Sequence, residues 1–447
     1  MFRNISVIGL GKLGYPMAQF LSSSGAKISC YDKDEKLVND LKKNHGEHLH
    51  EIGLNNLVNN NNDLIYHNNV SDCITDTEII YITVPTPSKL DGSFSNDIII
   101  EILDEVAKVI SKNKKSYIIN INSTVQPGSI ESEIIPFLES KGLINNKNFY
   151  ILYNPYFVAL GSVIRNLEEP DYLLIGSSSI YAAKKITKFY NSLYKNPKIR
   201  LLKFKEAELT KLLVNTYLTT KISYSNFVKN VCKNFDDISD LRVLESVGLD
   251  ARIGTKFMLP GGPYSGPCLP RDNLSLKKFC FDNNIQNTFS DEVQKINNDT
   301  IENLYKVISN LKNQHKIKTF GFLGLGYKSN TQCFEESYSL KMMNFLESLN
   351  IKVFYYDPYL LEKFSATKVN SFEDLALKSD VIFLSYIDQH FNPIVQVKHE
   401  KNIWDLWYHF SESKYNRVFH KVSDFKKLEL QKSDKNQKII QFNKKTG

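Results

Sequence analysis

The sequence has few of the features that mark a disulfide-rich, metal-binding or membrane-spanning protein. Only six of its 447 residues are cysteine, and none forms a Cys-x-x-Cys pair or lies at metal-ligand spacing from a histidine. Neither a disulfide framework nor a zinc site is therefore expected. No apolar run approaches the roughly 18 residues that cross a bilayer, and the amino terminus lacks the layout of a signal peptide. These absences predict a cytoplasmic protein with no bound metal and no membrane contact.

An excess of positive charge is also absent from most of the chain. The sequence has 56 Lys and Arg against 49 Asp and Glu, a net charge of +7. Residues 412–447 alone hold ten basic and four acidic residues, so they account for +6 of that charge. A surface that binds a polyanion needs cations clustered on a folded face. Nucleic acid is therefore not expected as a partner.

What the chain does contain is a regular alternation of apolar runs and helical patterns, which predicts an α/β fold. Runs that read as strands lie at residues 5–10, 27–31, 79–84, 117–121, 150–153 and 172–175, and again at 318–324, 352–356 and 381–385. Strands separated by helices are typical of parallel sheets covered on both faces. Residues 205–234 form one long helical pattern without Pro or Gly.

We therefore predict two Rossmann-like, doubly wound parallel-sheet domains joined by a helical middle domain with one long central helix. The predicted boundaries are 1–200 for the first Rossmann-like domain, 201–314 for the helical domain, 315–430 for the second Rossmann-like domain and 431–447 for a polar basic tail.

A glycine-rich turn between the first strand and the first helix predicts a dinucleotide site. Its sequence is Gly9-Leu10-Gly11-Lys12-Leu13-Gly14, and Asp32 ends the following strand. The first glycine permits the tight turn, the second lets backbone approach a pyrophosphate, and the third lets the helix pack closely on the strand. An acidic residue at position 32 favours NAD over NADP, although the adjacent Lys33 weakens that preference.

Polar residues after two further strands and on the long helix are candidate ligand contacts. Thr86 and Thr124 each follow an apolar run, where ligands of open parallel sheets bind. Lys211 and Asn215 are four residues apart and share a helix face, which suits a site that holds a hydroxyl or an oxyanion. A solvent-facing stripe is the alternative for this pair.

A loop rich in glycine and proline carries the strongest chemical signal. It runs from Pro260 to Asp272 and includes Tyr264, Cys268 and Arg271. Because Pro270 suits the first turn of a helix, Cys268 is expected at a helix amino terminus, where the dipole and Arg271 favour a thiolate. A nucleophilic cysteine with an acid nearby is typical of covalent catalysis. A buried, inert thiol is the alternative.

From about Ser6 to Trp407 the chain resembles the UDP-glucose/GDP-mannose dehydrogenase family of NAD-dependent nucleotide-sugar 6-dehydrogenases. The matching motifs are the glycine turn, Val84-Pro85-Thr86-Pro87, Ser123-Thr124-Val125, Asn154-Pro155 with Gly161, the helix from Ala207 to Asn215, Arg252-Ile253-Gly254, the Cys268 loop, and Tyr327-Lys328 with Asn330-Thr331. The resemblance implies oxidation of a sugar C6 alcohol to a carboxylate with two NAD, through a thiohemiacetal and a thioester. A UDP-linked sugar is favoured as the substrate.

The resemblance also implies a role for each matching residue. Cys268 would be the nucleophile, Lys211 and Asn215 would stabilise the C6 oxygen, and Asp272 and Thr124 would hold the water. The candidate ligand contacts are Gly9, Gly11, Gly14, Asp32, Thr86, Thr124 and Lys328 for NAD, and Lys211, Asn215, Arg252, Tyr264 and Tyr156 for the substrate. Arg252 would reach the sugar of a neighbouring subunit, and the long helix would form the core of a homodimer.

Departures from the family pattern leave alternatives open. Tyr156 stands where the family has a glutamate that serves as general acid and base, and a second family glutamate falls at Leu160. Family arginines fall at Glu335 and Trp407. One alternative is therefore a catalytically impaired protein that binds nucleotide sugars. Another is a β-hydroxyacid dehydrogenase, which shares the glycine turn and a helical middle domain but needs neither Cys268 nor a second α/β half.

Overall fold

The structure is a computed structural model that describes residues 2–60, 64–113, 115–235, 237–315, 317–396 and 402–407. Its described residues group into two compact units. Unit 1 comprises residues 1–214 with 274–286, and unit 2 comprises residues 215–273 with 287–447. The basic segment 412–447 and the predicted boundary at residue 430 lie outside the described residues, and the predicted domain boundaries stay predictions.

Unit 1 is built on one sheet of eight strands. The strands are β1 (Asn4–Ile8), β2 (Lys27–Tyr31), β3 (Ile65–Tyr66), β4 (Ile79–Ile82), β5 (Tyr117–Ile121), β6 (Phe149–Tyr153), β7 (Leu173–Gly176) and β8 (Ile199–Leu202). Their order in the sheet is β3-β2-β1-β4-β5-β6-β7-β8. All neighbours are parallel except β6 and β7, which are antiparallel. The first six strands thus have the doubly wound order of a dinucleotide-binding domain.

Helices cover both faces of this sheet. They are α1 (Gly14–Ser22), α2 (Glu35–Asn44), α3 (Leu54–Asn60), α4 (Val70–Ile74), α5 (Asp97–Lys112), α6 (Ile135–Ser140), α7 (Val163–Glu168) and α8 (Ile180–Leu193). A π-helical turn, Ile130–Ile134, leads directly into α6. Two hydrophobic clusters form the cores, one on each side of the sheet. Strands such as β4 and β5 are buried along their whole length, as expected of a sheet covered on both faces.

The central helices are α9 (Phe204–Cys232), α10 (Asp240–Gly248), α11 (Leu269–Asp282) and α12 (Thr288–His315). Helix α9 has 29 residues and, like α11, contributes residues to both units. Its long pattern without Pro or Gly explains its length, because neither residue interrupts the backbone hydrogen bonds.

The second sheet lies in unit 2 and has five parallel strands. They are β9 (Thr319–Leu323), β10 (Lys352–Tyr356), β11 (Thr367–Lys368), β12 (Val381–Leu384) and β13 (Asn402–Asp405), in the order β11-β10-β9-β12-β13. Helices α13 (Tyr338–Ser348) and α14 (Phe372–Lys378) and a 3₁₀ segment (Gln389–Gln396) accompany them. Core clusters pack on both sides of this sheet as well.

The predicted fold class is confirmed: two parallel-sheet Rossmann-like folds occur with a helical region between them in the chain. The sequence analysis missed β3, β8, β11 and β13, which are short or lie at sheet edges, and did not anticipate the antiparallel β7. None of the helices in the described part of the chain combines the length and the hydropathy needed to cross a membrane.

Candidate active site

The glycine turn of unit 1 has the geometry that a dinucleotide pyrophosphate requires. Gly9 has φ of +91°, and a Cβ at Gly14 would lie 1.8 Å from the Gly9 carbonyl oxygen. At Gly11, by contrast, an added Cβ would meet no atom of the described residues within 4 Å. Helix α1 begins at Gly14 with no acidic residue in its first turn, so no side chain of that turn competes with a phosphate for the amino-terminal N–H groups. The chain therefore fits NAD at this turn.

Asp32 follows β2 and is tied to the same turn. One carboxylate oxygen accepts from the backbone N–H of Leu10 at 2.7 Å, and the other accepts from the N–H of Asp34 at 2.9 Å. Each carboxylate oxygen has a second lone pair. Asp32 is half-buried and can therefore accept hydrogen bonds from ribose hydroxyls while it holds the glycine turn.

Thr86 and Thr124 meet at the carboxyl ends of neighbouring strands β4 and β5. The Thr86 hydroxyl donates to the Thr124 carbonyl oxygen at 2.6 Å, and Thr86 is buried. One residue earlier, the Ser123 hydroxyl donates to the Val84 carbonyl at 2.6 Å. The Thr86 hydrogen bond thus fixes the backbone of the loop that follows β5, whereas the side chain of Thr124 remains partly exposed.

Lys211 is a buried cation held by the loop that follows β6. Its Nζ donates to the backbone carbonyl of Tyr156 at 2.7 Å and lies 4.6 Å from the centre of the Phe157 ring. The side chain is only 8% exposed, which rules out the solvent-facing stripe considered from the sequence. A desolvated ammonium group of this kind stabilises a developing negative charge more strongly than an exposed one does.

The side chain of Tyr156 points into the core of unit 1. Its hydroxyl lies 3.1 Å from that of Tyr190, which in turn bonds to Asn154 Oδ1 and lies 3.4 Å from the hydroxyl of Tyr81. Burial raises the pKa of Tyr156 to about 12, against a smaller lowering by its hydrogen bonds to Tyr190 and Tyr194. The hydroxyl that replaces the family carboxylate is therefore protonated at neutral pH, and this residue serves Lys211 through its backbone.

In unit 2, Cys268 lies immediately before the first residue of α11. Its carbonyl oxygen accepts from the N–H of Asp272 at 2.9 Å, the first hydrogen bond of the helix, and Pro270 occupies the first turn. The residue is exposed, unlike the buried Cys30, Cys73, Cys232 and Cys280. Its position at the positive end of the helix dipole favours the thiolate. Cys268 is therefore not the buried thiol considered as the alternative, and its role as nucleophile stays a prediction.

The buried Asp272 pairs with the half-buried Asn215 in the same unit. The Asn215 amide donates to Asp272 Oδ2 at 2.6 Å, and Asp272 is 1% exposed. Arg271 Nε lies 3.6 Å from the other carboxylate oxygen. Asn215 follows Lys211 by one turn of α9, so successive turns of one helix present a buried cation and the amide that orients Asp272.

The loop that leads to Cys268 is anchored by two asparagines that the sequence analysis did not identify. Asn226 on α9 donates to the Gly262 carbonyl and accepts from the Gly261 N–H, both at 3.0 Å. Asn297 on α12 accepts from the Tyr264 N–H at 2.7 Å. Asn226 follows Asn215 by eleven residues, three helical turns, so helix periodicity could have identified it.

Tyr264, a candidate substrate contact, is largely buried in unit 2. Its hydroxyl donates to Gln294 Oε1 at 2.8 Å, and the residue is 4% exposed. Burial raises its pKa above the ordinary value. In this conformation its side chain braces the Cys268 loop against α12.

Trp407 and Tyr327 pack against glycines of the Cys268 loop within unit 2. A Cβ at Gly261 would lie 2.4 Å from the Trp407 ring, and one at Gly266 would lie 2.6 Å from the Tyr327 ring. The indole N–H of Trp407 donates to the Ser385 carbonyl at 2.7 Å. The tryptophan that replaces a family arginine is thus a packing residue of this loop.

Three further candidate positions are placed as follows. Lys328 Nζ lies 5.7 Å from the centre of the Tyr327 ring, in unit 2. Arg252 has an exposed side chain that pairs with Asp250 at 2.6 Å. Glu335, at the other family arginine position, is exposed.

The sequence analysis did not identify two buried carboxylates, Asp357 and Glu208. Asp357 follows β10 and accepts from the N–H of Leu325 at 2.8 Å, as Asp32 does from Leu10 in unit 1. The repeated Gly-Leu-Gly sequence at 324–326 was the available signal. Glu208 on α9 accepts from the N–H groups of Gly128 at 2.5 Å and Ile130 at 2.9 Å. An internal glutamate on a helix gives no sequence signal for such a distant contact.

Comparison with known proteins places most of the chain in one family. Models of the UDP-glucose/GDP-mannose dehydrogenase family match residues 3–195 (NAD binding domain), 205–299 (central domain) and 321–411 (UDP binding domain). A UDP-glucose 6-dehydrogenase of Rickettsia felis is 30% identical over 80% of this chain and 79% of its own. One of Rickettsia prowazekii is 28% identical over 94% of this chain and 93% of its own.

A solved structure has the same fold. The UDP-glucose dehydrogenase of Pyrobaculum islandicum superposes with a TM-score of 0.83 at 23% identity, covering 95% of this chain and 98% of that one. The matched NAD binding domain contains the glycine turn and Asp32, so NAD is the cofactor. The chain belongs to the UDP-glucose/GDP-mannose dehydrogenase family.

Proposed function

We propose that this protein oxidises the C6 hydroxyl of a UDP-hexose, UDP-glucose or a close relative, to the UDP-uronic acid with two NAD, for the synthesis of polysaccharide precursors. The observation that carries the proposal is the exposed Cys268 at the start of α11, in the same unit as the hydrogen-bonded pair of Asn215 and the buried Asp272. A UDP-linked substrate is favoured because relatives at 28% and 30% identity are named UDP-glucose 6-dehydrogenases.

The first oxidation converts the C6 alcohol to an aldehyde. Bound NAD⁺ supplies the chemistry of accepting the hydride from C6. Lys211 stabilises the C6 oxygen as its proton leaves, and the desolvation of the ammonium group strengthens that effect. Asn215 supports the same oxygen.

Covalent capture by Cys268 explains how one site removes two hydrides from one carbon. The thiolate adds to the aldehyde carbon, the carbonyl oxygen takes a proton, and a thiohemiacetal forms that retains one hydrogen on C6. Loss of that hydrogen as a second hydride, with loss of the hydroxyl proton, leaves a thioester. Water held by Asp272 and Thr124 then adds to the thioester, and the carboxylate and the Cys268 thiol are released.

The hydrolytic step must proceed without the family glutamate. Tyr156, with a pKa raised to about 12 by burial, holds its proton at neutral pH. We assign the general base to Asp272, which Asn215 orients. One general base typically contributes roughly 10² to 10⁴ in rate, so a slower hydrolysis than in glutamate-bearing relatives is expected.

A second candidate function is nucleotide-sugar binding with impaired turnover, favoured by the inward-facing hydroxyl of Tyr156 and the exposed Glu335. The third reading, a β-hydroxyacid dehydrogenase, is disfavoured by the match to a UDP binding domain over 321–411. We also assign the enzyme to the cytoplasm, as the sequence analysis predicted.

We further propose that the enzyme is a homodimer built on α9. Tyr217, Tyr224, Phe227 and Val231 recur at helical spacing on this helix, and each is 46–63% exposed. A stripe of large apolar side chains is typical of a subunit interface. Arg252, exposed in one chain, would then contact substrate in the neighbouring subunit.

The proposed function is tested by a panel of UDP- and GDP-sugars with NAD, following both NADH and product mass. Wild-type protein is expected to release a uronic acid from a UDP-sugar, whereas Cys268→Ser should form no acid. Cys280→Ala, which alters a buried cysteine, is the matched control and should retain activity. Absence of NADH with every sugar would favour the binding protein. Acid formation by Cys268→Ser would remove the covalent mechanism.

A further inference from the structure

We propose that Glu208 is a positioning residue of the reaction, which fixes the Thr124 loop to the helix that carries Lys211. This inference rests on the proposed function, because it concerns the alignment of the same chemical groups. Glu208, Lys211, Thr124 and the residues that bond to Glu208 all lie in unit 1.

Glu208 joins α9 to the turn that leads into α6. Glu208 is fully buried on α9, and its two carboxylate oxygens accept separately from the N–H groups of Gly128 and Ile130. Ser129, which precedes the π-helical turn, makes no capping hydrogen bond with its side chain. Glu208 therefore caps, from a distant helix, the turn that leads into α6.

This contact joins the two segments that carry Lys211 and Thr124, both of which take part in the proposed reaction. Glu208 precedes Lys211 by three residues on α9, and Gly128 follows Thr124 by four residues in the loop. The loop is already fixed at its start by the Thr86 hydroxyl, which donates to the Thr124 carbonyl. Glu208 fixes its other end, so the loop that carries Thr124 is held at both sides.

Burial of the Glu208 carboxylate carries a free-energy penalty. A fully buried carboxylate destabilises the folded protein unless it is hydrogen-bonded. A neutral serine or asparagine near the turn would cap it at lower cost. The carboxylate instead joins two chain segments separated by about 80 residues, with one oxygen for each N–H, a geometry that fixes both distance and angle.

The test compares Glu208→Gln and Glu208→Asp with a matched control, Glu51→Gln. Glu51 is also buried, and its oxygens accept from the N–H groups of Gly161 at 2.6 Å and Val163 at 2.9 Å at the start of α7. Both glutamine variants lose one acceptor oxygen, so a similar decrease in melting temperature is expected for the two. Only the Glu208 variants should lower kcat, by about 10- to 100-fold, with KM for the nucleotide sugar little changed.

A second measurement does not depend on turnover. Amide hydrogen exchange in peptides covering residues 123–134 should accelerate in both Glu208 variants and remain at the wild-type rate in Glu51→Gln. Unchanged exchange in this segment, or an equal fall in kcat for Glu51→Gln, would overturn the proposal. If the wild type oxidised no nucleotide sugar, the proposed function would fail, and faster exchange would then show Glu208 to be a structural cap only.

Discussion

The backbone and the side chain of Tyr156 have separate roles: the backbone positions Lys211, and the side chain stabilises the core of unit 1. The carbonyl holds Lys211, and the hydroxyl belongs to a buried cluster with Tyr190. Tyr156→Phe should therefore cost about 0.5–1.5 kcal/mol of stability and leave kcat near the wild-type value. Steady-state kinetics and thermal melts of Tyr156→Phe and Tyr190→Phe measure both effects. A large loss of kcat in Tyr156→Phe alone would show that this hydroxyl takes part in the chemistry.

The raised pKa of Glu208 predicts how the stability of the protein depends on pH. Burial raises its pKa to about 7 from an ordinary value of 4.5, with the Gly128 and Ile130 N–H groups and Lys205 lowering it and Glu131 raising it. The folded pKa is the higher one, so the stability contribution is present below about 4.5 and is lost as pH rises through 7.

Melting temperatures of wild type and Glu208→Gln from roughly pH 5 to pH 8 isolate this effect, because the glutamine does not titrate. The advantage of the wild type over the variant should shrink as pH rises, by up to about 3 kcal/mol of free energy. An advantage that grew with pH would contradict the assignment.

The contacts of Tyr156 and Glu208 could not be predicted from the sequence. The sequence identified Tyr156 as a departure, but the direction of its side chain depends on Tyr190, which lies 34 residues away in sequence. Glu208 was missed for the same reason, since its partners lie 78 and 80 residues away. Local patterns do not encode contacts at such separations.

At the scale of elements, two glycines of the turn between β1 and α1 have different roles. Gly11 serves cofactor binding, and Gly14 serves folding. A Cβ at Gly11 meets no atom of the described residues within 4 Å, whereas one at Gly14 would collide with the Gly9 carbonyl. Gly11→Ala should weaken NAD binding by about tenfold or more, because its methyl group lies where the backbone meets pyrophosphate, with no change in the melting temperature of the ligand-free protein.

Gly14→Ala is the contrasting variant and should lower the melting temperature. Calorimetric titration with NAD, alongside thermal melts, distinguishes the two. Wild-type NAD affinity in Gly11→Ala would mean that the dinucleotide does not approach this backbone.

Elements with strong local signals were predicted well. The long helix was expected at 205–234 and is Phe204–Cys232, because an uninterrupted helical pattern needs no distant partner. Cys268 precedes a helix, as expected from Pro270, whose missing N–H is not needed in a first turn. Short strands such as Ile65–Tyr66 were not predicted, because two residues carry no periodicity.

At the scale of the whole molecule, the exposed stripe on α9 predicts an assembly. Phe227→Glu places a charge on the proposed interface and should convert dimer to monomer in sedimentation velocity. Leu361→Glu is the control, since Leu361 is also exposed, at 69%, but lies outside the central helices. A monomeric wild type, or a dimer unaffected by Phe227→Glu, would remove α9 as the interface.

The central claim is a four-electron oxidation completed through Cys268, and the ratio of NADH to product tests it most directly. Wild-type enzyme with UDP-glucose and excess NAD should form two NADH for each sugar consumed, with a product that has gained one oxygen and lost two hydrogens at C6. A ratio of one, or a sugar retained as a thioester on Cys268 in the intact mass, would contradict the account.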